Sequence, residues 1–344
     1  MASADLDTIR LGPYLAARIP GFGELVEARK FAGGQSNPTF LLISTKGHWV
    51  LRRKPPGELL KSAHAVDREF RVMAALAATD VPVPRVHHLC EDKSVVGSVF
   101  YVMDYLEGRI FWDGALPEVD APERGAIYDA MNGALAALHR LDPGSIGLAD
   151  FGRPGSYFAR QIGRWTGQYR ASETVPIPDM DTLIAWLERS TPEDDGRVSL
   201  VHGDYRLDNM IFAPDAPRIL ALLDWELATL GHPFADLAYQ CMQWRLPAEG
   251  AFQGLGSLDR RAHGIPTEAE YVALYCERMG LPGIPGWNFY LAFSFFRLGA
   301  ILQGVYKRAL DGNASDPTRG IRMGEAVPTL SRLAVELIER EPAS

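Results

Sequence analysis

Cysteine is scarce in this chain. Only three occur in 344 residues, Cys90, Cys241 and Cys276, and no two form a C-x-x-C pair. A zinc ribbon or finger needs paired ligands, so that spacing speaks against one. The odd number points to free thiols rather than a disulfide framework. Positive charge is not in excess either: 35 Lys and Arg stand against 43 Asp and Glu, a formal net charge of -8. A nucleic-acid binder normally shows the opposite balance, so no nucleic-acid partner is expected. The chain begins MASADLDTIR, acidic where a secretory signal would be basic and then apolar. No apolar stretch reads as both long and clean enough to span a bilayer; the best, Phe289 to Val305, is interrupted by Arg297 and Gln303. The expectation is a cytoplasmic protein with no membrane partner. Two phosphate-binding signatures are also absent: no Walker G-x-x-x-x-G-K-[ST] occurs, and no G-x-G-x-x-G follows a strand. Internal repeats and low-complexity linkers are lacking.

What is present is an ordinary globular composition, 47% hydrophobic and 23% charged, in a chain long enough for two lobes around a cleft. Residues 1 to about 110 read as strands with one helix between them. Thr39 to Ser44 and His48 to Arg53 form a hairpin across Lys46-Gly47. Ala63 to Ala78 has apolar residues at helical spacing (Val66, Phe70, Met73, Ala74, Leu76), and Pro82 and Pro84 end it. Val95 to Asp104 is a strongly apolar run and reads as a buried strand. From about residue 120 the pattern turns helical, clearest in Glu123–His139, Ser156–Tyr169 and Met180–Ser190. Two short strand-like runs, Ser199 to His202 and Ile219 to Asp224, bracket the densest polar cluster. A Gly/Pro-rich loop covers Leu246 to Pro266. This predicts an α+β fold: a small antiparallel β lobe over 1–106 with one key helix, then a large helical lobe over 107–344, hinged near Leu106-Glu107-Gly108.

The chemistry is concentrated in LVHGDYRLDNMIF (200–212) and ILALLDWELA (219–228). Asp204 and Asn209 have the D-x-x-x-x-N spacing of a kinase catalytic loop, and Asp224 follows a second apolar strand. Phosphoryl transfer needs a carboxylate to orient the attacking hydroxyl and hard oxygen ligands to hold magnesium against the phosphates. Asp204 suits the first task; Asn209 and Asp224 suit the second. Gly, Asp and Asn also favour turns for local reasons, but two strands feeding one spaced set argue for a site. Asp208 lies off the expected position and reads as a solvated or loop-bonding residue.

The HGDYRLDN…LLDWE pattern resembles the aminoglycoside phosphotransferase-like family, relatives of choline kinases and, more remotely, of protein kinases. The resemblance runs nearly end to end and implies a bilobal protein-kinase-like fold, ATP and Mg2+ as cofactors, and a small-molecule hydroxyl as acceptor. It implies Asp204 as catalytic base, Asn209 and Asp224 as magnesium ligands, and His202 as a structural start to the loop. Asp236 resembles the carboxylate that buttresses the loop through backbone amides; a plain helix N-terminal acid is the other reading.

The N-terminal half is read in the same frame. Gly33 and Gly34 in FAGGQSNPTF let backbone amides approach phosphates, or simply make a hairpin. Val50 and Arg52 share one strand face, where Val50 would cover adenine and Arg52 would reach the phosphates. Arginine replaces the lysine of the kinase pattern, and the two are not equivalent. Glu69 would pair with Arg52, and Lys54 is a lesser candidate. In FYVMDYLEG, Met103 and Tyr101 would line an adenine slot closed by backbone groups from Asp104 to Leu106. Segments 152–169, 246–280 and 295–310 resemble the kinase domains fused to acyl-CoA dehydrogenases and their free-standing bacterial relatives. That implies a hydroxyacyl-CoA or related hydroxy acid, with Arg160, Gln161, Trp165 and Arg297 as possible contacts. Packing is an equal reading for each, and Trp165 with Tyr169 at i, i+4 suits a core pair. Two alternatives stay open: an aminoglycoside kinase, which should line its acceptor cleft with acids, and a nucleotide-binding pseudokinase, motivated by Arg52.

Overall fold

The structure is a computed structural model that describes residues 6–31, 37–55, 65–250, 252–313 and 316–340. The chain divides into two compact units. The smaller runs through Arg109 and takes in Asn209–Ala228; the larger holds Ile110–Asp208 and everything from Thr229 onward.

The smaller unit begins with α1 (Thr8–Ala16) and then carries β1 (Leu25–Lys30), β2 (Thr39–Ser44), β3 (Gly47–Arg53), α2 (Val66–Leu76), β4 (Val86–Cys90) and β5 (Phe100–Asp104). The five strands form one antiparallel sheet in the order β1-β2-β3-β5-β4. Burial alternates along β2, with Phe40, Leu42 and Ser44 inward, as a half-buried strand requires. Phe40, Leu42, Leu51, Phe100 and Val102 pack with Leu11, Leu15 and Phe22 into its core. Helix α1 departs from the expectation of a single helix here. Gly12-Pro13 reads as a breaker, yet Asp7 caps the start by accepting from the Arg10 N–H, and Leu11 and Leu15 are fully buried. The expected strand over Val95–Asp104 is confined to Phe100–Asp104, because Gly97 turns the chain with φ 83°. Strands β1 and β4 are likewise additions to the sequence reading.

In the larger unit α3 (Ala121–Arg140), α4 (Tyr157–Ser172), α5 (Pro178–Ser190) and β6 (Ser199–Val201) follow. The chain then re-enters the smaller unit as a hairpin, β7 (Met210–Phe212) with β8 (Ile219–Leu222). Beyond it come β9 (Thr229–Gly231), α6 (Phe234–Met242), α7 (Glu268–Met279), α8 (Trp287–Leu310), α9 (Pro317–Gly324) and α10 (Val327–Glu339). The hairpin belongs with the first unit through backbone bonds: Arg109 and Phe212 exchange two at 2.8 Å, and the Leu222 N–H donates to Pro82 O at 2.8 Å. Composition alone suggests a single break near 106; packing adds the later segment 209–228 to the N-terminal unit.

Helix α8 is the hub of the larger unit, packing against α4, α5, α6, α9 and α10. By length and composition it is apolar enough to cross a membrane, which corrects the expectation that no stretch qualifies. Its burial explains the composition: Phe289 to Ala300 is buried without a break. The polar interruptions are buried too, and partnered. Gln303 Nε2 donates to Ser172 O at 2.9 Å and Thr174 Oγ1 at 3.1 Å.

Candidate active site

In the smaller unit, β3 delivers Arg52 to a cluster of carboxylates. Its Nε lies 3.0 Å from Glu69 Oε2 on α2, its Nη2 lies 2.5 Å from Asp224 Oδ1, and Glu226 stands 3.9 Å away. The β7–β8 register puts Asn209 and Asp224 at one end of the hairpin. Met210 pairs with Leu222, and the next N–H, that of Leu223, donates to Asn209 O at 2.8 Å. Asp224 then leaves the strand in the left-handed region, φ 63°, a conformation that costs a non-glycine residue about 1–3 kcal/mol. Two neutral donors complete the cluster. Tyr101 Oη donates to Glu69 Oε2 at 3.1 Å, and the buried Asn37 donates from Nδ2 to Glu69 at 3.0 Å and Glu226 at 3.3 Å.

One guanidinium among three carboxylates leaves surplus negative charge. Burial raises the Glu69 carboxyl; Arg52 pulls it down, Asp224 and Glu226 push it up again, and it ends at about 7. Burial opposes the charge on Arg52, but Glu69, Asp224 and Glu226 more than offset it and hold the guanidinium above its ordinary value. Carboxylate oxygens of Glu69, Asp224 and Glu226 lie within 4.8 Å of one another. A hard-oxygen, charge-surplus donor set of this kind fits a divalent cation such as Mg2+.

In the larger unit, β6 runs straight into His202-Gly203-Asp204. Asp236 on α6 is fully buried and accepts the N–H of His202 at 2.6 Å and of Gly203 at 2.8 Å. His139 contacts the same carboxylate at 3.4 Å through Nε2, while its Nδ1 meets Tyr275 Oη at 2.7 Å. Burial would raise the Asp236 carboxyl, yet the His139 contact and charge, His202 and the Gly203 amide together hold it below the ordinary value. Gly203 takes φ 84°, a region open to glycine. Its carbonyl is gripped from the other side by Arg297 Nη2 at 2.5 Å. Arg297 is buried on α8, between the rings of Trp165 at 5.7 Å and Tyr239 at 5.4 Å. Gly203, the residue before Asp204, is thus clamped at both its N–H and its C=O. The Asp204 N–H donates to His202 Nδ1 at 3.2 Å, and burial together with the Asp204 charge pushes the phenol of Tyr239, one turn beyond Asp236, above its ordinary value.

The remaining sequence candidates fall into place more variously. Val50 sits opposite Met103 in the β3–β5 register, both buried. Asp104 gives its N–H to Arg85 O at 2.9 Å and its carboxylate to His87 at 2.6 Å; Leu106 follows β5 and is partly buried. Lys54 pairs with Asp67 at 2.7 Å, away from the cluster. Asp208 is bonded within the loop, as expected, by Arg206 at 2.9 Å through both oxygens. Gly33 and Gly34 lie outside the described residues. Among the residues read as substrate contacts, Arg160 donates to Arg153 O at 2.6 Å and Gln161 accepts from Trp165 Nε1 at 3.1 Å. Trp165 is buried, and Arg297 serves the catalytic loop. Sequence reasoning passed over Glu226, Asn37, Tyr239 and His139. Tyr239 had a signal, since it lies three residues after Asp236 and so on the same helix face; Glu226 stands in the DWE motif itself.

Comparison with known proteins identifies the family and the fold. Residues 27–265 match the phosphotransferase enzyme family. Acyl-CoA dehydrogenase family member 10 of Mus musculus is 49% identical over 317 residues, 92% of this chain and 30% of that protein. Acyl-CoA dehydrogenase family member 11 of Rattus norvegicus is 45% identical over 314 residues, 90% of this chain and 40% of that protein. The chain thus spans less than half the length of these relatives. A crystal structure of a Ralstonia eutropha jmp134 protein, provisionally named an aminoglycoside phosphotransferase, is 48% identical with a TM-score of 0.89, covering 98% of this chain and 100% of that one. A thermostable mutant of aminoglycoside phosphotransferase APH(4)-Ia, in ternary complex with AMP-PNP and hygromycin B, is 16% identical with a TM-score of 0.61 over 96% of this chain and 99% of that one, and shares the kinase-like α+β fold. The chain therefore belongs to the phosphotransferase enzyme family and is a small-molecule kinase that transfers phosphate to a hydroxyl group.

Proposed function

We propose that the protein uses ATP and Mg2+ to phosphorylate a hydroxyl of a hydroxyacyl-CoA or related hydroxy acid, with Asp204 as the catalytic carboxylate. The observation that carries this reading is the two-sided clamp on Gly203, which fixes the residue before Asp204 through Asp236 and Arg297. A catalytic group held before substrate arrives spends no free energy on reorganisation during the reaction. Asp204 orients the acceptor hydroxyl and takes its proton late. Tyr239 lies within reach of the same carboxylate, whose charge helps to push the phenol above its ordinary value. Asn209 and Asp224 would hold the magnesium, which supplies charge neutralisation on the phosphates. Arg52 faces the α/β-phosphates, and its forked guanidinium suits the task because separate nitrogens engage Glu69 and Asp224. That engagement supports an active site over a degenerate one. Val50 and Met103 form an apolar bed for adenine, and with the Asp104 N–H already bonded in the sheet, Leu106 is the hinge residue to supply a backbone partner. The acyl-CoA dehydrogenase names of the relatives support an acyl-type acceptor.

The test is ATP turnover over a panel of hydroxyacyl-CoA esters, hydroxy acids and aminoglycosides, with wild type and Asp204→Asn. The variant should lose roughly 10²- to 10⁴-fold in turnover, the range for removing a general base. A wild-type protein that binds Mg-ATP and phosphorylates nothing in the panel would sink the reading.

A further inference from the structure

The antiparallel sheet of the smaller unit ends on β1, and among the described residues no strand lies beyond it. The bonds that β1 makes inward fix what its outer edge offers. The Phe31 N–H donates to Thr39 O at 3.0 Å, and the β1–β2 register runs unbroken from Lys30–Phe40 back to Glu27–Ile43. Antiparallel pairs alternate between residues that exchange backbone bonds and residues that do not. Counting back from Phe31, Arg29 and Glu27 bond to β2, and Ala28 turns its N–H and C=O outward. An edge that offers backbone groups is a template for another strand. Two exposed apolar side chains stand beside it. Ile9 on α1, 87% exposed, and Val26, 66% exposed, line an open groove of about 640 Å³ between α1 and β1.

Charge is a common protection for an edge strand, and β1 carries Glu27, Arg29 and Lys30. Here the charges are ordered so that they complement a copy of themselves. In an antiparallel ladder, paired residues either both exchange bonds or both do not, so two copies of one strand must pair about a two-fold axis that sets one residue against itself. A bulge between Leu25 and Glu27 leaves Glu27–Lys30 as the regular stretch. Axes at Glu27, Arg29 or Lys30 set a charge against its own kind, which is destabilising. The axis at Ala28 sets Glu27 opposite Arg29 of the second copy, and Arg29 opposite Glu27. It also lets Ala28 and its counterpart exchange both outward backbone bonds. Within one chain Glu27 and Arg29 share a strand face, 2.6 Å apart, and both stay well exposed. Such an exposed pair adds little to the fold; across the axis it becomes a square of alternating charge. We propose that the β1 edge joins two copies of this chain about an axis at Ala28, so that two five-stranded sheets become one.

The experiment is sedimentation velocity of the full chain over roughly 1 µM to 1 mM, the range that suits a small interface. Wild type should pass from monomer to dimer within it. Glu27→Arg and Arg29→Glu should each weaken self-association about tenfold, because two attractive cross-strand pairs become repulsive. Both side chains are exposed, so neither change should move the thermal midpoint. Mixed in equal amounts, the two variants should associate again, since one brings a positive strand and the other a negative one. The doubly exchanged chain, Glu27→Arg with Arg29→Glu, should pair with itself as wild type does. A wild type that stays monomeric throughout would overturn the proposal. Single variants that dimerise within about twofold of wild type would place the dimer on another surface and overturn it as well. A mixture that fails to associate while wild type dimerises rules out the axis at Ala28 and has the same result.

Discussion

Glu69 and Asp236 are both carboxylates with no exposed surface, one in each unit, and they ionise in opposite directions. Burial pushes both upward. Asp236 overcomes it because two backbone amides and Nε2 of His139 converge on its carboxylate. Glu69 does not, because its guanidinium is shared with Asp224 and Glu226. The difference separates two kinds of site. Asp236 has its partners within the protein itself, whereas the carboxylate cluster around Arg52 carries surplus negative charge, which would suit the magnesium proposed above.

Four measurements can break or sharpen that contrast. The largest effect belongs to Asp236→Ala, which strands two buried amides and should cost roughly 3–5 kcal/mol of stability in urea unfolding; a loss under 1 kcal/mol would mean that Asp236 is not the support it resembles. Next comes pH. Glu69 binds its proton more tightly folded than unfolded, so stability should fall as pH rises from 4.5 through about 7, by an amount of order 3 kcal/mol. Glu69→Gln should flatten that slope. Asp236 has the opposite sign: its contribution is intact above 3.8 and is lost only as pH falls below that value. Third, Arg297→Met should lower kcat about tenfold, the cost of one unpaired carbonyl, without changing KM for the acceptor; a raised acceptor KM with kcat intact would make Arg297 a substrate contact instead. The smallest effect is Glu226→Gln, which should let the Glu69 carboxyl titrate lower, read by NMR. An unchanged titration would remove Glu226 from the cluster.

Much of the fold could be read from the sequence, and the reasons vary by residue. The loop positions of Asp204, Asn209 and Asp224 were legible because apolar strands fix where a polar loop must emerge. Arg52 with Glu69 was legible from strand alternation plus one helix period. Arg297 stayed open between substrate contact and packing because an arginine inside an apolar helix looks alike from the sequence in both cases; the structure gives it the Gly203 carbonyl as a partner. Helix α1 was hidden by Gly12-Pro13, and the Val95–Asp104 run overcounted a strand because apolar side chains also fill a turn.

The hairpin at 209–228 also bears on biosynthesis. The N-terminal unit is not contiguous, since its packing requires a segment made some hundred residues after the rest of it has left the ribosome. The larger unit waits longer still, because α8, on which α4, α5 and α6 pack, starts only at Trp287. Both units therefore depend on late, non-local contacts, and such chains fold slowly and spend time with exposed apolar surface. An emerging chain of the first 208 residues would carry the β sheet, Arg52 and Asp204 but lack the strand pair that brings Asn209 and Asp224, so nascent intermediates up to that length should be client substrates for chaperones.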